Sequence, residues 1–276
     1  MKLFLRYTLF ACLVVLGFVG EAAAQVATSV NPSSLGTRQY AMDTVYSAKR
    51  IREDDKMYQI SVWRRIDLRE KYNIPLYGSG DNKENGIINH IYKAVKQNAL
   101  EIFADENFTQ PLSIAQFDST FWKTDFQDSI FVKQLFFLDF KEDFVFDRQH
   151  SQFKFDIKYI QLVMPAETNA DPNSGVGFQK TVGFIRYKDF VTHFAKHPDA
   201  RWINFKNISK SITYNEAFES RLFRSVVTRY TNDSEALIID LVNKNTPADR
   251  RKMQAYLDAL AFEYNLLEFE NSVWEW

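Results

Sequence analysis

The chain has 276 residues, 46% of them hydrophobic and 25% charged, with a formal net charge of −1. That length supports one large domain or two small ones, and a charge this close to zero excludes bulk attraction to nucleic acid or anionic lipid. The single cysteine, Cys12, excludes thiol nucleophiles, thiol redox chemistry and cysteine-based zinc sites downstream of it. Aromatic residues make up 16% and include 25 Phe, enough for a large core with some left for an interface.

Residues 1–24 read as an export signal: Lys2 and Arg6 open it, Tyr7 to Gly20 is uncharged and mostly apolar, and Ala22-Ala23-Ala24 precedes Gln25 as a cleavage site. A lipobox around Leu9-Phe10-Ala11-Cys12 is the rival reading, set aside because Cys12 lies inside the apolar run. Three glycosylation sequons, at Asn107, Asn207 and Asn232, matter only in a glycosylating pathway, and the signal reads as bacterial. Residues 25–57 are polar or charged and are expected to form a flexible arm. A core domain is expected over 58–232, and a C-terminal helical segment with an aromatic tail over 233–276.

Residues 58–77, YQISVWRRIDLREKYNIPLY, pack three arginines among Trp63, Ile66, Leu68 and Ile74. Tyr58, Ile60, Val62, Ile66 and Leu68 fall at alternate positions, which argues strand, with Arg64 interrupting the alternation. A helix from Val62 to Lys71 is the rival; the preferred reading is a strand for the first half, then irregular structure to Pro75. Trp63, Arg64, Arg65, Asp67 and Arg69 are candidates for a partner-docking ridge, since Trp and Arg are enriched at binding hot spots. The plainer alternative is an amphipathic strand whose arginines pair with Asp67 and Glu70.

A helix is predicted over 87–102 from Ile87, Ile88, Ile91, Tyr92, Val95, Ala99 and Ile102, capped by Asn85. Residues 130–164 read as strands, and residues 180–187 as another, joined across the loop 166–177 into a long-looped β-hairpin. A short helix from Tyr187 to His197 follows. The spacing predicts a further helix over 213–230, opened by a Thr213/Glu216 capping box with Phe218, Leu222 and Val226 as its stripe. A last helix starts at Thr246-Pro247 and runs through Met253, Leu257, Leu260 and Tyr264. Trp274 and Trp276 end the chain as further partner-binding candidates, either folded back on the core or inserted into a neighbour. Helices and strands interleave without βαβ spacing, so the expected class is α+β, with mixed helices and antiparallel strands.

Motifs for chemistry are thin. His193 and His197 stand four apart without the glutamate of a zincin helix or an obvious third ligand. Asn169, Asp171 and Asn173 alternate like calcium ligands, but the glycine and glutamate of an EF-hand are out of place. Asp139, Glu142, Asp143 and Asp147 are the only set that suggests acid–base work, and charges in that pattern usually form a solvated strand face. No phosphate loop, dinucleotide loop or nucleophile elbow occurs, so no catalytic, metal or cofactor residues are assigned.

The run from Trp63 to Tyr77, WRRIDLREKYNIPLY, resembles the signature of the GldN/PorN gliding-motility proteins, and Ile157–Pro165 with Val182–Phe190 is similar to a second block of that family. The resemblance spans about residue 45 to at least residue 230. It implies a non-enzymatic periplasmic component of the type IX secretion system, without cofactors. Such a subunit assembles with an outer-membrane lipoprotein of the GldK/PorK type into a ring under the outer membrane. The ring couples to the periplasmic shaft (GldM/PorM type) of a proton-driven motor. No nucleic acid is expected as a partner. Two alternatives stay open on the residues alone: an envelope-glycan hydrolase using the carboxylates at 139–147, and a small-ligand carrier with an enclosed apolar cavity.

Overall fold

A computed structural model describes residues 53–78, 85–120, 122–123, 128–129, 134–168, 177–195, 197, 199–204, 212–234 and 236–274. The export signal, most of the arm, Asn169, Asp171, Asn173 and Trp276 lie outside the described residues.

The alternation from Tyr58 onward gives a 12-residue strand, β1 (Lys56–Asp67), which extends further than the sequence reading placed it. The chain then turns through Asn73 into a short helix, α1 (Ile74–Tyr77), with Pro75 in its first turn. Next come α2 (Ile87–Lys96), α3 (Ile114–Thr120) and a two-stranded ribbon of β2 (Trp122–Lys123) and β3 (Asp128–Ser129). The long strands β4 (Phe137–Asp147) and β5 (Gln152–Met164) are followed by β6 (Lys180–Arg186) and α4 (Tyr187–Phe194). A second ribbon pairs β7 (Arg201–Trp202) with β8 (Ile212–Thr213); then follow α5 (Tyr214–Glu219), β9 (Val226–Tyr230), α6 (Ile238–Leu241) and α7 (Ala248–Trp274).

The five long strands form one antiparallel sheet in the order β6-β5-β4-β1-β9, so the fold is α+β and β5–β6 is the long-looped hairpin. Sheet register places Val62, Arg64, Ile66, Leu138, Phe140, Ile160 and Ile185 on one face. That face carries the main core, where Phe140, Phe190, Phe194, Phe117 and Tyr214 are fully buried. A smaller core of Val62, Val227, Ile238 and Ala259 seats α7 over β9. The opposite face presents Gln59, Ser61, Trp63, Arg65, Asp139 and Gln161. Among the described residues no helix is long and apolar enough to cross a membrane.

Two predicted helices and one cap are corrected. The helix at Ile87 stops at Lys96, because Asn98 turns left-handed at φ 55°, and Ile102 and Phe103 continue as extended chain. Phe103 exchanges 2.8 Å backbone hydrogen bonds with Phe184, and a Cβ on Gly183 would stand only 2.6 Å from the Ile102 side chain, so glycine permits that approach. Asn85 makes no cap; Gly86 holds that position, and the Asn85 carbonyl accepts from the Tyr214 hydroxyl instead. The capping box at Thr213 and Glu216 is present, but its helix ends at Glu219, where Arg221 takes φ 50°. The β-branched run Val226-Val227-Thr228 then pairs with β1 instead of extending the helix.

His90, on the inner face of α2, is 7% exposed, and its Nε2 has no partner among the described residues. Burial lowers its imidazole to about 4, with His197 and Lys93 adding repulsion. A base held neutral in the fold is protonated first in the unfolded chain, so acid favours unfolding between the two pKa values. Stability is expected to fall by roughly 3 kcal/mol as pH drops from 6.5 to 4. His90→Phe is expected to flatten that slope in urea titrations run across the range; an unchanged slope removes His90 as its source.

Candidate functional site

The signature segment divides by strand parity. Alternate residues of a strand point to opposite faces, so Arg64 faces the core while Trp63 and Arg65 face out. Arg64 therefore does not interrupt the alternation: it occupies an apolar slot as a buried ion.

The inward half is a four-membered charge network. Glu142 is fully buried and accepts from Arg64 Nε at 2.6 Å and from both terminal nitrogens of Arg221, at 2.8 and 2.9 Å. A further Arg64 nitrogen reaches Glu263 on α7. Two cations and two carboxylates thus balance, which is the condition under which buried charge is tolerated. Register shifts at Trp63/Arg64 against β9 and at Lys141/Glu142 against β5 flank the pair, as bulges do where a side chain must be re-aimed. The left-handed backbone at Arg221 lies beside its two bonds to Glu142.

The outward half is held differently. Trp63 Nε1 donates to the Tyr159 hydroxyl at 2.9 Å, which donates to Glu106 at 2.8 Å. Its ring carries the Arg229 guanidinium at 3.7 Å and the Lys141 ammonium at 4.7 Å. Arg65 grips Asp139 with two hydrogen bonds of 2.8 and 2.7 Å, lies over Phe137 and donates to Gln179. Burial raises the Asp139 carboxyl above its ordinary value despite that grip. Asp67 is held by Arg69, whose guanidinium stacks on Phe136 at 3.5 Å and reaches Glu167. Trp63, Arg65 and Asp139 line a groove of about 620 Å³ that continues past Thr228 and Ile238 to Lys252. Trp274 ends α7, on the backbone alone.

Asn73 was not singled out in sequence. It is fully buried, and its amide donates to the carbonyls of Asp67 and Arg224 and accepts from Arg224 N, so it ties the turn after β1 to the segment leading into β9. Its place before Ile74-Pro75 was the available signal, since asparagine satisfies turn backbone.

The other sequence candidates are spoken for. Glu142 and Asp147 are buried, which corrects the expectation of a solvated carboxylate face. Asp143 accepts from Gln59 and Ser61, on the face opposite Glu142. For Asp147, burial acts to raise the pKa, but hydrogen bonds from Lys154 and His150 outweigh it and bring the group to about 2. These carboxylates therefore do not converge on one cleft. His197 lies 5.8 Å from the His90 ring and 5.9 Å from that of His193, a grouping that spacing alone did not include His90 in. Among the described residues, no group of three His, Cys, Asp or Glu side chains is placed to hold a metal.

Fold and site together define an α+β sheet domain whose densest charged segment is engaged in ion pairs on both faces. The chain belongs to the gliding motility associated protein GldN family, whose family model matches residues 51–275. The matched span includes Trp63–Tyr77 and both stretches of the second block. No curated protein matches the chain.

Glu142→Gln is expected to destabilise the fold by about 3–5 kcal/mol, because Arg64 and Arg221 lose their shared anion in a dry site. Replacing Arg64, Glu142, Arg221 and Glu263 together by Met, Leu, Met and Gln is expected to recover most of that loss, since no member of the network is then left unpaired. Urea unfolding midpoints check both; a quadruple variant no more stable than the single one contradicts the charge assignment.

Proposed function

We propose that this chain is a non-enzymatic subunit of the periplasmic ring of the type IX secretion system. It assembles with an outer-membrane lipoprotein of the GldK/PorK type and supports protein secretion and gliding. The observation that carries this reading is the family match over residues 51–275. The outward face of β1 is the surface we assign to docking: Trp63 and Arg65 combine an aromatic anchor, a planar cation and an adjoining groove, with Arg69 half-exposed beside them. Arg64 holds the fold behind them. The tail with Trp274 and Trp276 is a second docking element in this proposal, and the periplasmic motor shaft (GldM/PorM type) is the further partner. The protein sits at the inner face of the outer membrane through its lipoprotein partner.

Rigid anchors on a preformed sheet suit ring assembly, since heterologous contacts close by rotation and gain from surfaces that need no reordering. The hydrolase alternative lacks converging carboxylates. The carrier alternative lacks support from the two described grooves, which are open and lined by charged groups such as Arg65, Asp139, Arg186 and Asp189.

The test is co-purification of the lipoprotein from envelope extracts with the chain carrying Trp63→Ala and Arg65→Ala. Lipoprotein recovery is expected to drop at least about tenfold while circular dichroism stays native-like, the unfolding midpoint falling as the Tyr159 and Asp139 contacts are lost. A folded double variant that retains the lipoprotein normally contradicts the docking assignment.

A further inference from the structure

The groove beside Trp63 and Arg65 ends at an open strand edge. It crosses the outward sheet face from Thr181 on β6 to β9, where Val226, Val227, Thr228 and Arg229 all line it. Val226 pairs with outward-facing Arg65 and Val227 with inward-facing Arg64, so the groove here reaches past the face to the edge of the strand. β9 is the last strand of the sheet, and among the described residues its backbone bonds only to β1. The opposite edge is closed at Phe184 of β6 by Phe103. Cations gather at the open end. Arg229 and Lys141 lie over the Trp63 ring, and exposed Lys252 on α7 lines the groove. None of the three makes an ion pair among the described residues, because the nearby carboxylates Asp139 and Glu106 already accept from Arg65 and from the Tyr159 hydroxyl.

We propose that this end of the groove holds an extended, acidic segment of the partner that docks on β1, paired as a strand along β9 with its carboxylates on Arg229 and Lys252. The proposal rests on the docking assignment made above and names the chemistry that the partner brings. A strand edge offers backbone donors and acceptors in a row, which a polypeptide matches and a lipid headgroup does not. The unpaired cations then select negative charge in that polypeptide. Val226, Leu237 and Ile239 also line this end, and Leu237 is 44% exposed, so the segment that fits alternates acidic with apolar residues. The chain's own arm is the wrong sign: residues 26–52 carry one carboxylate, Asp43, against Arg38, Lys49, Arg50 and Arg52. A second copy pairing through its own β9 would set the same cations against each other.

The probe is a labelled peptide of about nine residues alternating Glu and Val, long enough to span β9, titrated with the purified chain and followed by fluorescence anisotropy. Binding is expected with a dissociation constant of about 100 µM or tighter at low salt, weakening as salt is raised. Arg229→Gln with Lys252→Gln is expected to raise that constant at least about fivefold. A peptide alternating Lys and Val is expected not to bind, and neither is the Glu peptide methylated on every backbone nitrogen, which keeps its carboxylates but donates no backbone hydrogen bond. Equal binding of the Lys peptide, or an unchanged constant for the double variant, overturns the charge selection. Equal binding of the methylated peptide overturns the strand pairing. Binding to phosphatidylglycerol vesicles but not to the Glu peptide overturns the proposal in favour of a lipid headgroup. Co-purification separates this proposal from the docking assignment. Lipoprotein lost by Trp63→Ala with Arg65→Ala but kept by Arg229→Gln with Lys252→Gln removes the groove segment and leaves the docking face, whereas peptide binding with lipoprotein kept by both pairs supports the groove and removes the lipoprotein as its source.

Discussion

Glu142 has no access to solvent, yet it sits in the middle of a five-stranded sheet between two hydrophobic cores. A lone carboxylate there would cost several kcal/mol. It is tolerated because β1 brings Arg64, the segment after α5 brings Arg221, and α7 brings Glu263 to complete the balance. These four side chains come from positions far apart in the chain, so the network forms only when sheet, loop and C-terminal helix are all in place. Apolar packing supplies most of the stability, as in any domain of this size, but it is indifferent to direction. The charge network ties β1 to β4, to the segment after α5 and to α7 by directional bonds.

That constraint explains how the signature segment holds so many charges without being a solvated loop. Strand parity separates neighbours one residue apart into different roles. Arg64 and Ile66 point to the core, and Trp63 and Arg65 to a polar face that is largely covered at the Arg65–Asp139 pair but open to solvent along the groove beside it. Asn73 then satisfies the backbone of the turn that follows, so the segment from Trp63 to Tyr77 is a strand, a pinned turn and a short helix. The outward residues are held by neighbours, Trp63 by Tyr159 and Arg65 by Asp139, and are thereby rigid before any partner arrives. Side chains already fixed lose less entropy on docking.

Much of this architecture was legible in sequence: the α+β class, the hairpin over 152–186, the capping box at Thr213 and the strand at Tyr58. What was not legible has physical reasons. Arg64 looked like an interruption because its counter-ions lie 78 and 199 residues away, beyond any local pattern. The helix over 87–96 appeared longer because Ile102 continues the period by coincidence, while Asn98 stops the backbone. Residues 213–230 kept helical spacing although Val226-Val227-Thr228 had a free strand edge to join. In α7, periodicity marked a stripe but did not distinguish the face that packs on Tyr230 and Tyr58 from the one left in solvent. The histidine grouping needed α2 and α4 to be brought together, which no spacing within one segment encodes.

The central claim is the division between Arg64, whose ion pair is buried, and its neighbour Arg65, whose pair lies on the opposite, partly exposed face. Urea unfolding of Arg64→Met and Arg65→Met, measured side by side at neutral pH, tests it most directly. The account predicts a loss of about 3–5 kcal/mol for Arg64→Met, whose partner Glu142 has no solvent access, and a smaller one of about 1–2 kcal/mol for Arg65→Met, whose partner Asp139 keeps 15% exposure. Equal losses, or a larger one at Arg65, would contradict it.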